Sequence, residues 1–160
     1  LSSDGVEPVL EELGLAGVAR RHPYDLPAPV RKLVALAGVL AMRPDVLVLD
    51  EPTAGFDAAA RGVVVAALRR RLAEGITVLA ISHDLEFVAE TAERIVVLER
   101  GRIAADRPAA ALLRDVTALE ALGLRPPTAA RIALALGLPE APVREAAVVA
   151  ALAGVRWRRK

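Results

Sequence analysis

The sequence predicts an α/β fold: a mostly parallel sheet with flanking helices, followed by a small helical C-terminal domain. Two short apolar runs, Val46-Leu47-Val48-Leu49 and Ile76 to Ile81, each stop abruptly at polar residues, as strands of a parallel sheet do at a functional edge. A helical stretch from Ala58 to Ala73 separates them, and strand alternating with helix is the signature of crossover units. Beyond Pro108 the strand-like runs cease, and alanine- and leucine-rich segments are broken by Gly123, Pro126-Pro127, Gly137, Pro139 and Pro142.

Taken in order, Val6 to Arg20 places Val9, Leu10, Leu13 and Ala16 at helical spacing, with Gly14 and Gly17 weakening its last turn. The three prolines of His22 to Pro29 remove donors and push preceding residues toward extended backbone, so that segment reads as a stiff loop. A mostly buried helix is expected over Val30 to Met42, closed by Pro44. Val46 to Leu49, apolar on both alternating faces, reads as a central strand. Asp57 can cap the helix Ala58 to Ala73, and Gly75 ends it. Asp84 caps a further helix to about Ala92. Ile95 to Leu98 and Arg102 to Ala105 then form a hairpin about Arg100-Gly101, which closes the sheet.

The 160 residues suffice for one domain and an appendage, and 54% hydrophobic content supplies a core. Basic and acidic residues number 21 and 20, so no overall field gathers nucleic acid or an acidic membrane; no nucleic-acid partner is expected. The absence of cysteine removes disulfides, thiolate metal sites and thiol nucleophiles together and points to a reducing compartment. Apolar stretches such as Leu33 to Met42 are far shorter than the roughly 18 residues that span a bilayer. The start, Leu1-Ser2-Ser3-Asp4-Gly5, has neither an initiator methionine nor a signal segment and reads as a truncation. The basic end, Arg156-Trp157-Arg158-Arg159-Lys160, reads as a solvated terminus.

Chemistry concentrates at the two strand ends. An apolar strand followed by Asp50-Glu51 can hold one carboxylate near a magnesium ion and the other near an attacking water; a bare acidic pair opening a turn before Pro52 is the plainer alternative. His83, in Ile81-Ser82-His83-Asp84, is by itself most often a surface residue. His22, beside Pro23-Tyr24, is a loop residue without assigned role.

Context decides between these. Asp50-Glu51-Pro52-Thr53-Ala54-Gly55-Phe56-Asp57 resembles, almost position for position, the Walker B motif and D-loop of ATP-binding cassette (ABC) ATPases. His83 stands where that family has its switch histidine. Leu26-Pro27-Ala28-Pro29-Val30 occupies the place of the signature loop usually written LSGGQ, and Arg31-Lys32-Leu33-Val34-Ala35 resembles the helix that follows it. Ala35 to Met42 and the leucine-rich Leu119 to Leu124 look like the energy-coupling-factor group, related to cobalt, biotin and other vitamin uptake ATPases.

The resemblance implies a partial P-loop NTPase of RecA-like type, with residues 1–115 as the C-terminal part of the ATPase domain and residues 116–160 as a small helical, dimerising domain. It implies ATP and Mg²⁺ as cofactors, Glu51 and His83 as catalytic residues, Asp50 as the metal carboxylate acting through water, and Asp57 as a residue of the dimer interface. Leu26, Pro27, Ala28, Pro29 and Val30 would face the ATP of a partner subunit. Pro27 and Pro29 replace donors worth about 1–3 kcal/mol each to a charged oxygen, which makes that loop degenerate. A heterodimer with unequal sites reconciles a degenerate loop with intact Glu51 and His83. The implied partners are a second ABC ATPase subunit, a transmembrane coupling protein and a substrate-binding membrane subunit, at the cytoplasmic face of the cell membrane. The phosphate-binding loop G-x-x-x-x-G-K-[ST] and the glutamine loop are expected upstream of Leu1, and the fragment alone is expected to be inactive. Two alternatives stay open: a non-hydrolysing subunit that supports a competent partner, and a soluble ABC-type ATPase of DNA repair or translation.

Overall fold

The computed structural model describes residues 5–138 and 143–153. The basic end at 156–160, the breakers Pro139 and Pro142, and the start at Leu1 to Asp4 lie outside the described residues. Two compact units divide the chain, Leu1–Ser82 and His83–Lys160.

In the first unit, α1 (Glu7–Glu12) is shorter than the helix expected over Val6 to Arg20. Gly14 adopts φ +69°, a left-handed conformation that ends a helix, and the chain continues as a single 3₁₀ turn at Ala16–Val18. The proline-rich segment is likewise more ordered than a stiff loop. Pro23–Asp25 is a 3₁₀ turn, and α2 (Ala28–Ala41) begins two residues before the expected Val30. Pro29 lies in its first turn, where a helix has no use for an N–H and the fixed φ of proline already fits. Leu33, Ala37 and Leu40 form its buried stripe.

Strand β1 (Val46–Asp50) pairs in parallel with β2 (Thr77–Ile81), in a register that sets Val48 opposite Leu79 and Asp50 opposite Ile81. Between them runs α3 (Ala58–Ala73). Its helical spacing buries Val64, Val65, Ala67 and Leu68, and it also buries Arg71; Leu13, Leu40 and Leu47 are buried in the same unit. Arg71 donates to the Glu12 carboxylate at 2.7 Å and pairs with Glu74 at 3.4 Å, so α1 is joined to α3 by a nearly enclosed ion pair. Such a pair fixes register more than it stabilises, because desolvation of both charges offsets their attraction.

Strand β1 is not the doubly buried central strand expected. Leu47 is 1% exposed, but Val46, Val48, Leu79 and Ile81 are each close to 60% exposed. Side chains alternate across a strand, and in this chain only the Leu47 face is covered.

In the second unit α4 (Leu85–Thr91) precedes β3 (Arg94–Glu99) and β4 (Arg102–Pro108). The hairpin turn is the expected one, with Arg100 at φ 50° and Gly101 at φ 75°, the two left-handed residues a tight turn requires. β4 runs three residues beyond the expected Ala105, with a bulge between Val97 and Leu98. The hairpin does not close the first sheet. Among the described residues β1-β2 and β3-β4 are separate two-stranded sheets.

Helices α5 (Ala109–Arg114), α6 (Val116–Ala121), α7 (Thr128–Ala135) and α8 (Glu145–Ala153) complete this unit. Its core joins Leu85, Ala89, Val97, Leu112, Leu113 and Leu119. The Thr128 N–H donates to the Glu86 carboxylate at 2.7 Å and Arg144 Nε to the Ala89 carbonyl at 2.9 Å, which fastens α7 and the start of α8 to α4. Asp115 caps α6 by accepting from the Ala118 N–H at 3.0 Å and also pairs with Arg107 at 3.1 Å.

Leu68 is fully enclosed, so Leu68→Ala should cost about 2–5 kcal/mol, read as a lowered urea midpoint. The Ala118 N–H and then the Arg107 guanidinium hold the Asp115 carboxyl below its usual value. A depressed folded-state value means that its contribution is complete above an unfolded value of about 4 and fades as pH falls below it. Amide protection at Ala118 should follow that course in the parent, and Asp115→Ala should abolish the dependence.

Candidate functional site

The carboxylates sit where β1 leaves the sheet. Asp50 is the last strand residue and shares the uncovered face with Val46 and Val48, so its carboxylate opens to solvent at the C-terminal edge. Glu51 follows with φ 45°, a left-handed backbone unusual for a residue with a side chain. Its N–H donates to the Ile81 carbonyl at 2.9 Å and its own carbonyl accepts from the Ala54 N–H at 3.2 Å, so the conformation is held from both sides. Strain of this kind, on the order of 1–3 kcal/mol, persists where the surroundings over-determine it, and it is concentrated at functional positions.

The turn continues through buried Thr53, whose carbonyl accepts from the Phe56 N–H at 3.1 Å, and Gly55 at φ +79°. Asp57 caps α3 by accepting from the Ala60 N–H at 2.8 Å. It is exposed, so the cap leaves it accessible.

The segment at 26–30 stands at the start of α2. Leu26 is buried and anchors it, while Pro27, Ala28 and Pro29 are exposed and Val30 is half-buried. Pro27 is the N-cap residue and offers no side-chain cap. Arg31 turns back to donate to the Leu26 carbonyl at 2.6 Å, and Lys32 Nζ reaches the Ala54 carbonyl at 2.7 Å. A cleft of about 380 Å³ lies between, lined by Ala28, Pro29, Ala54 and Gly55 among others. Residues 26–30 and the turn after β1 therefore meet.

His83 opens the second unit, two residues after Ile81 in the chain, and is exposed. Asp84 beside it caps α4 by accepting from the Glu86 and Phe87 N–H groups at 3.1 Å each. His22 stacks on Tyr24 at 5.5 Å and accepts from the Tyr24 N–H, a local loop contact.

Among the described residues no three His, Asp or Glu side chains gather to hold a metal ion. One exposed aspartate at a strand edge suits magnesium, which keeps most of its waters and takes only one or two protein carboxylates beside phosphate oxygens. No helix among the described residues is long and apolar enough to cross a membrane.

No protein-family model matches the chain. It is 39% identical over 121 residues to the energy-coupling factor transporter ATP-binding protein EcfA of Methanothermobacter thermautotrophicus, covering 76% of this chain and 39% of that protein. It is 40% identical over 129 residues to the cobalt import ATP-binding protein CbiO of Rhodobacter capsulatus, covering 81% of this chain and 46% of that one. The structure superposes on cbiO1 from Clostridium perfringens, part of the ABC transporter complex cbiONQ, with a TM-score of 0.63 and 27% identity over 86% of this chain and 55% of the other. This chain belongs to the ABC ATPase family. It spans less than half the length of these two curated relatives, and its α/β architecture is a part of the ABC ATPase fold.

The ABC turn at 51–57 was legible from its string of residues. The Lys32 and Arg31 contacts were not, since each joins a cation to a backbone carbonyl and leaves no pattern in side-chain spacing. The one available signal was a pair of cations following two prolines at a helix start.

Gly55 needs its left-handed backbone, so Gly55→Ala should destabilise the chain by about 1–2 kcal/mol. Gly62, inside α3 with open space around it, should instead gain about 0.5–1 kcal/mol as alanine; thermal melts of the two variants should move in opposite directions.

Proposed function

We propose that this chain is part of the ATP-hydrolysing subunit of an energy-coupling-factor importer that powers uptake of a micronutrient, a metal ion or a vitamin. The observation that carries the reading is Glu51, held in a left-handed conformation at the sheet edge by its bonds to Ile81 and Ala54. A carboxylate carried on a main chain fixed in this way can orient a water and accept its proton. Asp50, one residue earlier, is the carboxylate for a magnesium ion, and the ion would neutralise charge on the phosphates of bound ATP. His83 is assigned to the terminal phosphate, as its place after β2 suggests. Asp57, exposed at the head of α3, is assigned to the contact with a second ATPase subunit.

Residues 26–30 favour a heterodimer. Two prolines stand where donors to the partner's nucleotide are expected, and Arg31 and Lys32 are both turned onto backbone carbonyls. The site completed by this loop is the weaker one, while the site served by Glu51 and His83 is competent. In this reading residues 1–115 belong to the ATPase domain and residues 116–160 form a helical dimerisation element. The assembly lies at the cytoplasmic face of the membrane, with a transmembrane coupling protein and a substrate-binding membrane subunit.

In the complete ATPase, Glu51→Gln should keep ATP binding and lower turnover by about 100-fold or more, the size of a lost general base. Undiminished hydrolysis by that variant, measured as phosphate release, would remove Glu51 from the reaction.

A further inference from the structure

We propose that Lys32 is a positioning residue for hydrolysis, tying the Glu51 turn to the start of α2 so that displacement of either is felt by the other. The proposal rests on the ATPase reading. Two contacts of one ammonium converge on a three-residue span: Lys32 Nζ donates to the Ala54 carbonyl at 2.7 Å and stands 5.8 Å from the centre of the Phe56 ring. Lys32 is exposed, and its charge-assisted bond together with the ring face offsets the freedom lost on ordering the four-carbon stem.

The tie leads to the main chain of the residue that carries the catalytic carboxylate. The Ala54 N–H donates to the Glu51 carbonyl, so the peptide group on one side of Ala54 is held by Glu51 and that on the other by Lys32. At the other end Arg31, adjacent on the same helix turn, braces α2 to Leu26. Residues 26–32 and 51–56 thus form one braced piece around their shared cleft. In the proposed dimer the first of these segments faces the partner's nucleotide and the second faces this subunit's own. Lys32 is therefore a direct mechanical link between two ATP sites within one chain.

The test compares Lys32→Met and Lys32→Arg with the parent in the complete ATPase and its partner subunit. Lys32→Met should speed amide exchange at residues 54–56 roughly ten-fold, the effect of losing one such bond. It should lower kcat for ATP about ten-fold or more while KM stays within about two-fold, because the positioning of the carboxylate is lost and not the binding of nucleotide. Lys32→Arg, which still carries a donor to the single acceptor, should restore most of both. Unchanged exchange in Lys32→Met overturns the tie. A rise in KM at constant kcat, or loss of activity that arginine does not restore, overturns the positioning role. If Lys32→Met does not fold, Lys32→Ala, which likewise carries no donor to the Ala54 carbonyl, makes the same comparison. A parent protein without ATP turnover overturns the ATPase reading alone, and the exchange experiment then decides on the tie by itself.

Discussion

One hydrogen bond organises the site end of the first unit: the Glu51 N–H on the Ile81 carbonyl. It extends the parallel pairing of β1 and β2 by one step beyond the strands, and in doing so holds a glutamate in backbone geometry that it would not adopt on its own. From that residue the chain folds back through Ala54 and Gly55, and Asp57 can reach the first turn of α3. Were this bond absent, the turn would have no fixed origin, and the side chains that follow would have no shared frame.

Much of this was open to reading from residues alone. The helix Ala58–Ala73 has its boundaries written at both ends, by a capping aspartate and by a glycine suited to left-handed backbone. The hairpin turn was as explicit, since Arg100-Gly101 stands between the β-branched run Ile95 to Leu98 and the short run Arg102 to Ala105. Motif residues 50–57 fell where the pattern put them because a strand end, a tight turn and a helix cap are all local events.

The misreadings have physical sources. Proline in a first helical turn counts in favour of a helix, so the number of prolines alone extends the expected loop two residues too far. An apolar strand predicts cover on both sides, whereas coverage depends on what else packs against it and not on its own composition. Closure of one sheet by the hairpin is a long-range pairing that no local signal specifies. The contacts of Lys32, Arg31 and Arg71 belong to the same class, because a long cation can reach acceptors remote in sequence.

The bare side of β1 and β2 has a practical meaning for anyone who handles this polypeptide. Val46, Val48, Leu79 and Ile81 make a ridge of branched aliphatic groups beside a charged rim, and water meets them directly. Produced by itself in a cell, such a ridge recruits other chains, or further copies of the same one, before any ligand is met. Co-expression with whatever shields that ridge, or salt-in substitutions along it, therefore belongs at the start of bench work with this span.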